Sequence, residues 1–195
     1  GPGSRGALQL SGAHVEADDN LADGTNGPVS VSAMVRLDGS ASNPGGNLLG
    51  SSSDWHLSAT PSGAKAYLYG DNTGEPSQSI PTDQWVHIGM VYEAGEYAKI
   101  YVDGEPVRNS SIDEGAVADP TNLKIGAVDS DNDGSVDSPF AGTIDEVRVY
   151  QGVLPAGRMA SLSQNHMSKE SREAYRSWQF EEGKGASAGP GHIGG

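Results

Sequence analysis

The chain has 195 residues, 12 basic against 26 acidic, for a net charge of −14, and it contains no cysteine. That length suits one domain with an appendage and is enough for a full core. An acidic surface excludes nucleic acid as a partner, since binding it requires basic groups that displace counterions. Without cysteine there is neither a disulfide framework nor a thiolate zinc site. No apolar run reaches the length of a membrane-spanning helix. Few lysines among many carboxylates also fit a high-salt environment, where surface repulsion is screened.

In chain order, Gly1-Pro2-Gly3-Ser4 has the form of a scar left by protease removal of an expression tag, so residues 1–4 are set apart from the fold. Short apolar runs then alternate with clusters drawn from the 28 glycines and 11 prolines, which predicts an all-β sandwich or barrel. The predicted strands are Ala7–Leu10, His14–Ala17, Val29–Leu37, Asn47–Gly50, Trp55–Ser58, Ala64–Tyr69, Gln84–Tyr92, Ala98–Val102, Leu123–Ala127 and Thr143–Tyr150. Val29–Leu37 places apolar residues at every odd position, the mark of a strand with one buried face. Asp103-Gly104 after Lys99–Val102 predicts a tight type I′ hairpin, with a return strand from Glu105 to Arg108.

Asp129-Ser130-Asp131-Asn132-Asp133-Gly134-Ser135-Val136-Asp137 interrupts this pattern. Alternate carboxylates followed by glycine match the first half of a calcium loop of EF-hand type, in which side-chain oxygens and one carbonyl wrap a hard cation. Asp129, Asp131, Asp133, Ser135 and Asp137 are the candidate ligands for Ca2+. Phe140 stands where such a loop carries a bidentate Glu, and both flanks read as strands, so the expectation is a calcium loop at a strand connection. The competing reading is a solvated acidic turn, but carboxylates this close repel unless a cation neutralises them. Leu154-Pro155 opens the one predicted helix, running to about His166 with Met159 and Leu162 on one side. Ser168–Arg176 is polar and suits a second short helix. Ser177–Gly185 reads as a strand and turn, with Trp178 and Phe180 at alternate positions.

Four segments together resemble the laminin-G-like, concanavalin A-like lectin/glucanase superfamily. They are Gly6–Gly12 with His14-Val15-Glu16, then Val29–Arg36, then Trp85–Tyr92 with Ile100–Gly104, and Phe140–Tyr150 with Val153-Leu154-Pro155. The resemblance covers most of residues 6–162. It implies a jelly-roll of two antiparallel sheets with one short C-terminal helix, spanning residues 5–167, and places in the core, not in ligand contact, for Trp85, Tyr101, Val147 and Tyr150. It also implies that Asp145 and Arg148 pair or bond to backbone. The family's usual first strand here comes last, as Trp178–Gly185. Residues 168–195 therefore carry either the first strand of a following module or a circularly permuted strand that belongs beside the N-terminal one.

The family's glucanases set two carboxylates on one strand face, and its lyases use a Gln-x-His strand with a Tyr base. Neither set is present. Asp145 and Glu146 are adjacent, which a regular strand points to opposite faces. There is no Gly-x-Ser-x-Gly elbow. The resemblance implies a non-catalytic, calcium-binding carbohydrate-binding or adhesion module of a larger secreted or cell-surface protein, with a glycan as partner. Trp55 and Tyr69 are the candidate stacking faces, although core packing is an equal reading for Trp55. Asp54 and Asn72 are the candidate hydrogen-bonding groups. The alternative is a structural spacer or self-associating repeat, partnered by neighbouring copies, whose calcium only stiffens a loop. A glycan-cleaving enzyme ranks below both.

Overall fold

A computed structural model describes residues 7–16, 28–51, 55–68, 71–74, 78–112, 123–129, 133–164, 176–179 and 187–188. Two antiparallel sheets face one another. The first has β1 (Leu8–Ser11), β3 (Val29–Leu37), β8 (Trp85–Glu93), β9 (Tyr97–Val102), β10 (Glu105–Ser111), β12 (Ala141–Gln151), β13 (Arg176–Gln179) and β14 (Ser187–Ala188). Its order is β10-β9-β8-β3-β12-β13-β14, with β1 also on β12. The second runs β2 (Val15–Glu16), β11 (Leu123–Ile125), β4 (Gly46–Ser51), β5 (Trp55–Thr60), β6 (Gly63–Leu68) and β7 (Asp71–Asn72). The jelly-roll sandwich expected from the sequence is the architecture observed.

Strand alternation builds the core. The odd residues Val31, Ala33, Val35 and Leu37 of β3 pack against Trp55, Leu57 and Ala59 of β5 and Ala64, Ala66 and Leu68 of β6 in one buried cluster. Such apolar burial is the main stabilising term of a sandwich. Of the even residues of β3, Ser30, Ser32 and Met34 are buried too, since α1 (Ala156–Gln164) lies over the outer side of the first sheet. Arg36 and, opposite it on β8, Trp85 are exposed, so the core role expected of Trp85 is not observed. Met159 and Leu162 of α1 are buried with Val91, Tyr101 and Tyr150 in a second, smaller cluster. The hairpin at Asp103-Gly104 forms with φ of 49° and 81°, the two positive angles a type I′ turn requires. Gly104 is needed for a further reason: a Cβ there would sit 2.7 Å from the Ala160 Cα of α1.

Several sequence boundaries move. The return strand continues to Ser111, and β11 stops at Ile125 because Gly126 turns with φ of 87°. Asp71-Asn72, in none of the predicted strands, is a two-residue edge strand on β6. The described helix ends at Gln164, so His166 and most of the second helix expected over Ser168–Arg176 lie outside the described residues. Arg176 itself opens β13. As the resemblance implies, Asp145 and Arg148 are held by backbone bonds and pairing: Asp145 Oδ1 accepts the Glu146 N–H at 2.7 Å, and Arg148 pairs with Glu146 and donates to its carbonyl. The β12 strand bulges here: the register with β3 slips between Asp145 and Arg148, and Glu146 takes φ of 52°.

The C-terminal strand β13 pairs with Val147–Val149 of β12, while β1 pairs with Ala141–Ile144 along the same edge. Both run antiparallel to β12, so β13 leads in line toward the start of β1. Phe180 lies outside the described residues.

Candidate functional site

The solvent side of the six-stranded sheet carries the chemistry. Because Trp55, Leu57 and Ala59 turn inward, His56, Ser58 and Thr60 of β5 turn outward; in β6 the same alternation brings out Lys65 and Tyr67. Register then aligns one cross-strand row: Glu16 of β2 opposite Lys124 of β11, Lys124 opposite Gly50 of β4, Gly50 opposite His56, His56 opposite Tyr67, and Tyr67 opposite Asn72 of β7. Five interstrand steps make the row about 24 Å long.

At its centre the His56 and Tyr67 rings stack, with centroids 4.4 Å apart and planes inclined by 24°. The Lys65 ammonium lies 5.1 Å from the Tyr67 centroid, a cation–π contact that fixes the ring from the next outward position of β6. Beside the pair, Gly50 is buried against β5; a Cβ there would fall 2.4 Å from the Cβ of His56. At the far end Lys124 meets Glu16 at 3.6 Å. Burial pushes the His56 imidazole down to about 4, with the neighbouring Asp137 carboxylate acting in the opposite sense. The ring is therefore neutral near pH 7, and the acidic loop ends close to it.

In that loop the Asp129 carboxylate is buried and accepts the N–H groups of Asp133 and Gly134, each at 3.1 Å. Asp133 Oδ1 accepts the Ser135 N–H at 2.7 Å, and Gly134 turns with φ of 88°. Asp137 closes the loop on Val128 through its N–H, and its carbonyl accepts the Asn47 side-chain amide at 2.9 Å. An oxygen-only donor set of this kind suits a hard cation. Asp131 lies outside the described residues, and among the described ones no three carboxylate or imidazole groups converge on a metal position. Phe140 is fully buried in the core, which explains its place where a bidentate ligand would stand.

The sequence-derived ligand set needs correction at its leading member. Trp55 is 1 % exposed and packs between the sheets, so its ring offers no face to a ligand. Tyr69 and Asp54 lie outside the described residues. Asn72 does stand at the end of the row, its Oδ1 accepting the Gly74 N–H at 2.8 Å. His56, Tyr67, Lys65 and Gly50 were not singled out from the sequence. The alternation around Trp55 held the signal: an inward Trp55 requires an outward His56.

A second histidine is structural in setting. His87 Nε2 lies 2.9 Å from the Ser32 hydroxyl, but both residues are at most 1 % exposed and no substrate can reach the pair. Burial first, then the Arg148 guanidinium, lowers the His87 imidazole to about 4.

Several solved structures share this fold. A protein assigned to carbohydrate binding from Bacteroides ovatus superposes with a TM-score of 0.73 at 20% identity, covering 95% of this chain and 55% of its own. A heptameric SAP-like pentraxin from Limulus polyphemus gives 0.65 at 12% identity, covering 96% of this chain and 89% of the pentraxin. Domain 4 of an extracellular arabinanase from Geobacillus stearothermophilus, solved with arabinotriose, gives 0.57 at 20% identity, covering 84% and 89%. This chain thus spans about half the length of the Bacteroides protein. No curated sequence matches it. The sequence profile of the concanavalin A-like lectin/glucanases superfamily matches residues 10–159, most of the chain, and the protein belongs to that superfamily.

Proposed function

We propose that this chain is a non-catalytic carbohydrate-binding module of a larger secreted or cell-surface protein, and that it binds glycan on the outer face of the six-stranded sheet. The observation that carries this reading is the stacked His56–Tyr67 pair at the centre of a polar row. The half-exposed pair, flanked by the polar side chains of the row, offers apolar contact and hydrogen bonds to a sugar, whose C–H face is apolar and whose edges carry hydroxyls. The carbohydrate-binding role assigned to the Bacteroides protein and the arabinotriose in the arabinanase domain support the same class of ligand, and the arabinanase supports an extracellular setting.

Asp129, Asp131, Asp133, Ser135 and Asp137 would hold Ca2+, which would stiffen the loop ending beside His56. The inward-turned Asp129 and the positive φ at Gly134 fit such a loop. Any cation that binds only the folded loop stabilises the protein by mass action. The bulged Asp145–Glu146 pair favours a binding role over glycan cleavage, because Glu146 is buried and neutralised by Arg148.

A second reading, a spacer or self-associating repeat, draws on the edge of β12. Strands from the two ends of the described chain share that edge in line, as expected if copies can supply each other's strand.

The test is a glycan array with immobilised neutral and acidic oligosaccharides. Glycan binding that Tyr67→Ala weakens by at least about tenfold, or about 1.4 kcal/mol, is the expected result. Binding that ignores this substitution contradicts the reading.

A further inference from the structure

We infer that a cleft at the rim of the sandwich is a second subsite, which takes the uncharged terminal sugar unit of a glycan lying on the outer face. The inference rests on reading that face as the glycan surface. The cleft has a volume of about 480 Å³ and is lined by Ser42, Asn43, Pro44, Thr60, Ser138 and Pro139 together with neighbouring backbone. That volume falls in the range of small-molecule sites.

Two elements lead from the stacked pair to this cleft. His56, Ser58 and Thr60 are successive outward positions of β5, so Thr60 stands about 14 Å from His56 along the strand. The opposite wall, Ser138-Pro139, follows directly on Asp137, whose charge is felt at His56. A glycan resting on the His56–Tyr67 pair thus needs only a few sugar units to place its end in the cleft.

The lining selects the chemistry. Its side chains are three hydroxyls, one amide, two proline rings and two alanine methyls, and none is ionisable. Hydroxyl and amide groups exchange hydrogen bonds with sugar hydroxyls, and proline rings meet the C–H face. Nothing there neutralises a carboxylate or sulfate, while Asp38 and Asp137 flank the lining segments and the chain carries a net charge of −14. The walls are held in place: Gly45 and Ala141 exchange two backbone hydrogen bonds of 2.9 Å, and the Asp38 N–H donates to Ala141 O at 3.1 Å. A preformed cleft spends little binding energy on ordering itself.

The experiment is calorimetric titration of the full chain with neutral arabinan, xylan and β-glucan oligosaccharides, from mono- to hexasaccharide, and with uronate-terminated counterparts. Ser42 and Asn43 are exposed, so Ser42→Trp plugs the cleft and Asn43→Ala removes its amide without disturbing the core. Melting curves verify that each variant is folded. We expect affinity to rise with chain length for neutral chains, and Ser42→Trp to erase about tenfold of that gain while short chains bind as before. Identical binding by wild type, Ser42→Trp and Asn43→Ala at every length overturns the inference, as does a preference for uronate ends. Tyr67→Ala, which should weaken all lengths, tests the outer face separately. If it changes nothing, the outer-face reading fails and the Ser42→Trp series still decides the cleft. Binding of no oligosaccharide in the panel overturns both.

Discussion

At the scale of single residues, two histidines in the same fold are put to different uses by strand parity. His56 faces outward and stacks on Tyr67, whereas His87 is sealed beside Ser32 and Arg148. Both are lowered from 6.5 to about 4, with burial as the largest cause. The sign follows from proton linkage: between pH 6.5 and 4 the unfolded chain binds protons that the folded chain refuses, so stability falls as pH drops through that window. His87 contributes up to about 1.4 kcal/mol per pH unit there. Melting temperatures measured down this range should decline, and an NMR titration should find the His87 ring neutral at pH 5. An imidazolium signal for His87 at pH 5 contradicts the assignment. Residue choice is also where the sequence misled. Trp55 drew attention as an aromatic, but a large apolar ring on an alternating strand gains most by burial, and its smaller neighbour His56 was left to face solvent.

At the scale of elements, long strands were legible and local distortions were not. Val29–Leu37 and Trp85–Glu93 declare themselves by apolar periodicity, and Asp103-Gly104 by its turn chemistry. The β12 bulge had no such signal. There Glu146 takes a positive φ and its carboxylate meets Arg148 two residues on, a combination that no propensity encodes. The His56–Tyr67 stack was hidden for a related reason: it depends on the register between β5 and β6, which sequence alone leaves open. The helix was legible in part, and its packing makes a prediction. Met159 is fully buried between α1 and the first sheet, so Met159→Ala should cost about 2–4 kcal/mol in denaturant unfolding. A loss below about 0.5 kcal/mol would mean that the helix docks only loosely. The acidic loop belongs to this scale as well. Chelator should lower the melting temperature, and Asp131→Ala combined with Asp133→Ala should remove that response. A melting curve indifferent to chelator would leave the loop as an acidic turn.

For the whole molecule, the two sheets have unlike outer faces. Helix α1 covers only part of the first, which leaves Trp85 and Arg36 exposed at one end, while the second carries a half-buried row with an aromatic centre. That difference sets the two faces apart, and it rests on seating α1 against Gly104 as much as on the row itself. The most direct measurement is glycan-array binding of the wild type and Tyr67→Ala, both in calcium and both shown to be folded by thermal melting. The account predicts a glycan signal for the wild type that falls at least about tenfold in the variant. A signal of equal strength in both, or none in either, would contradict it.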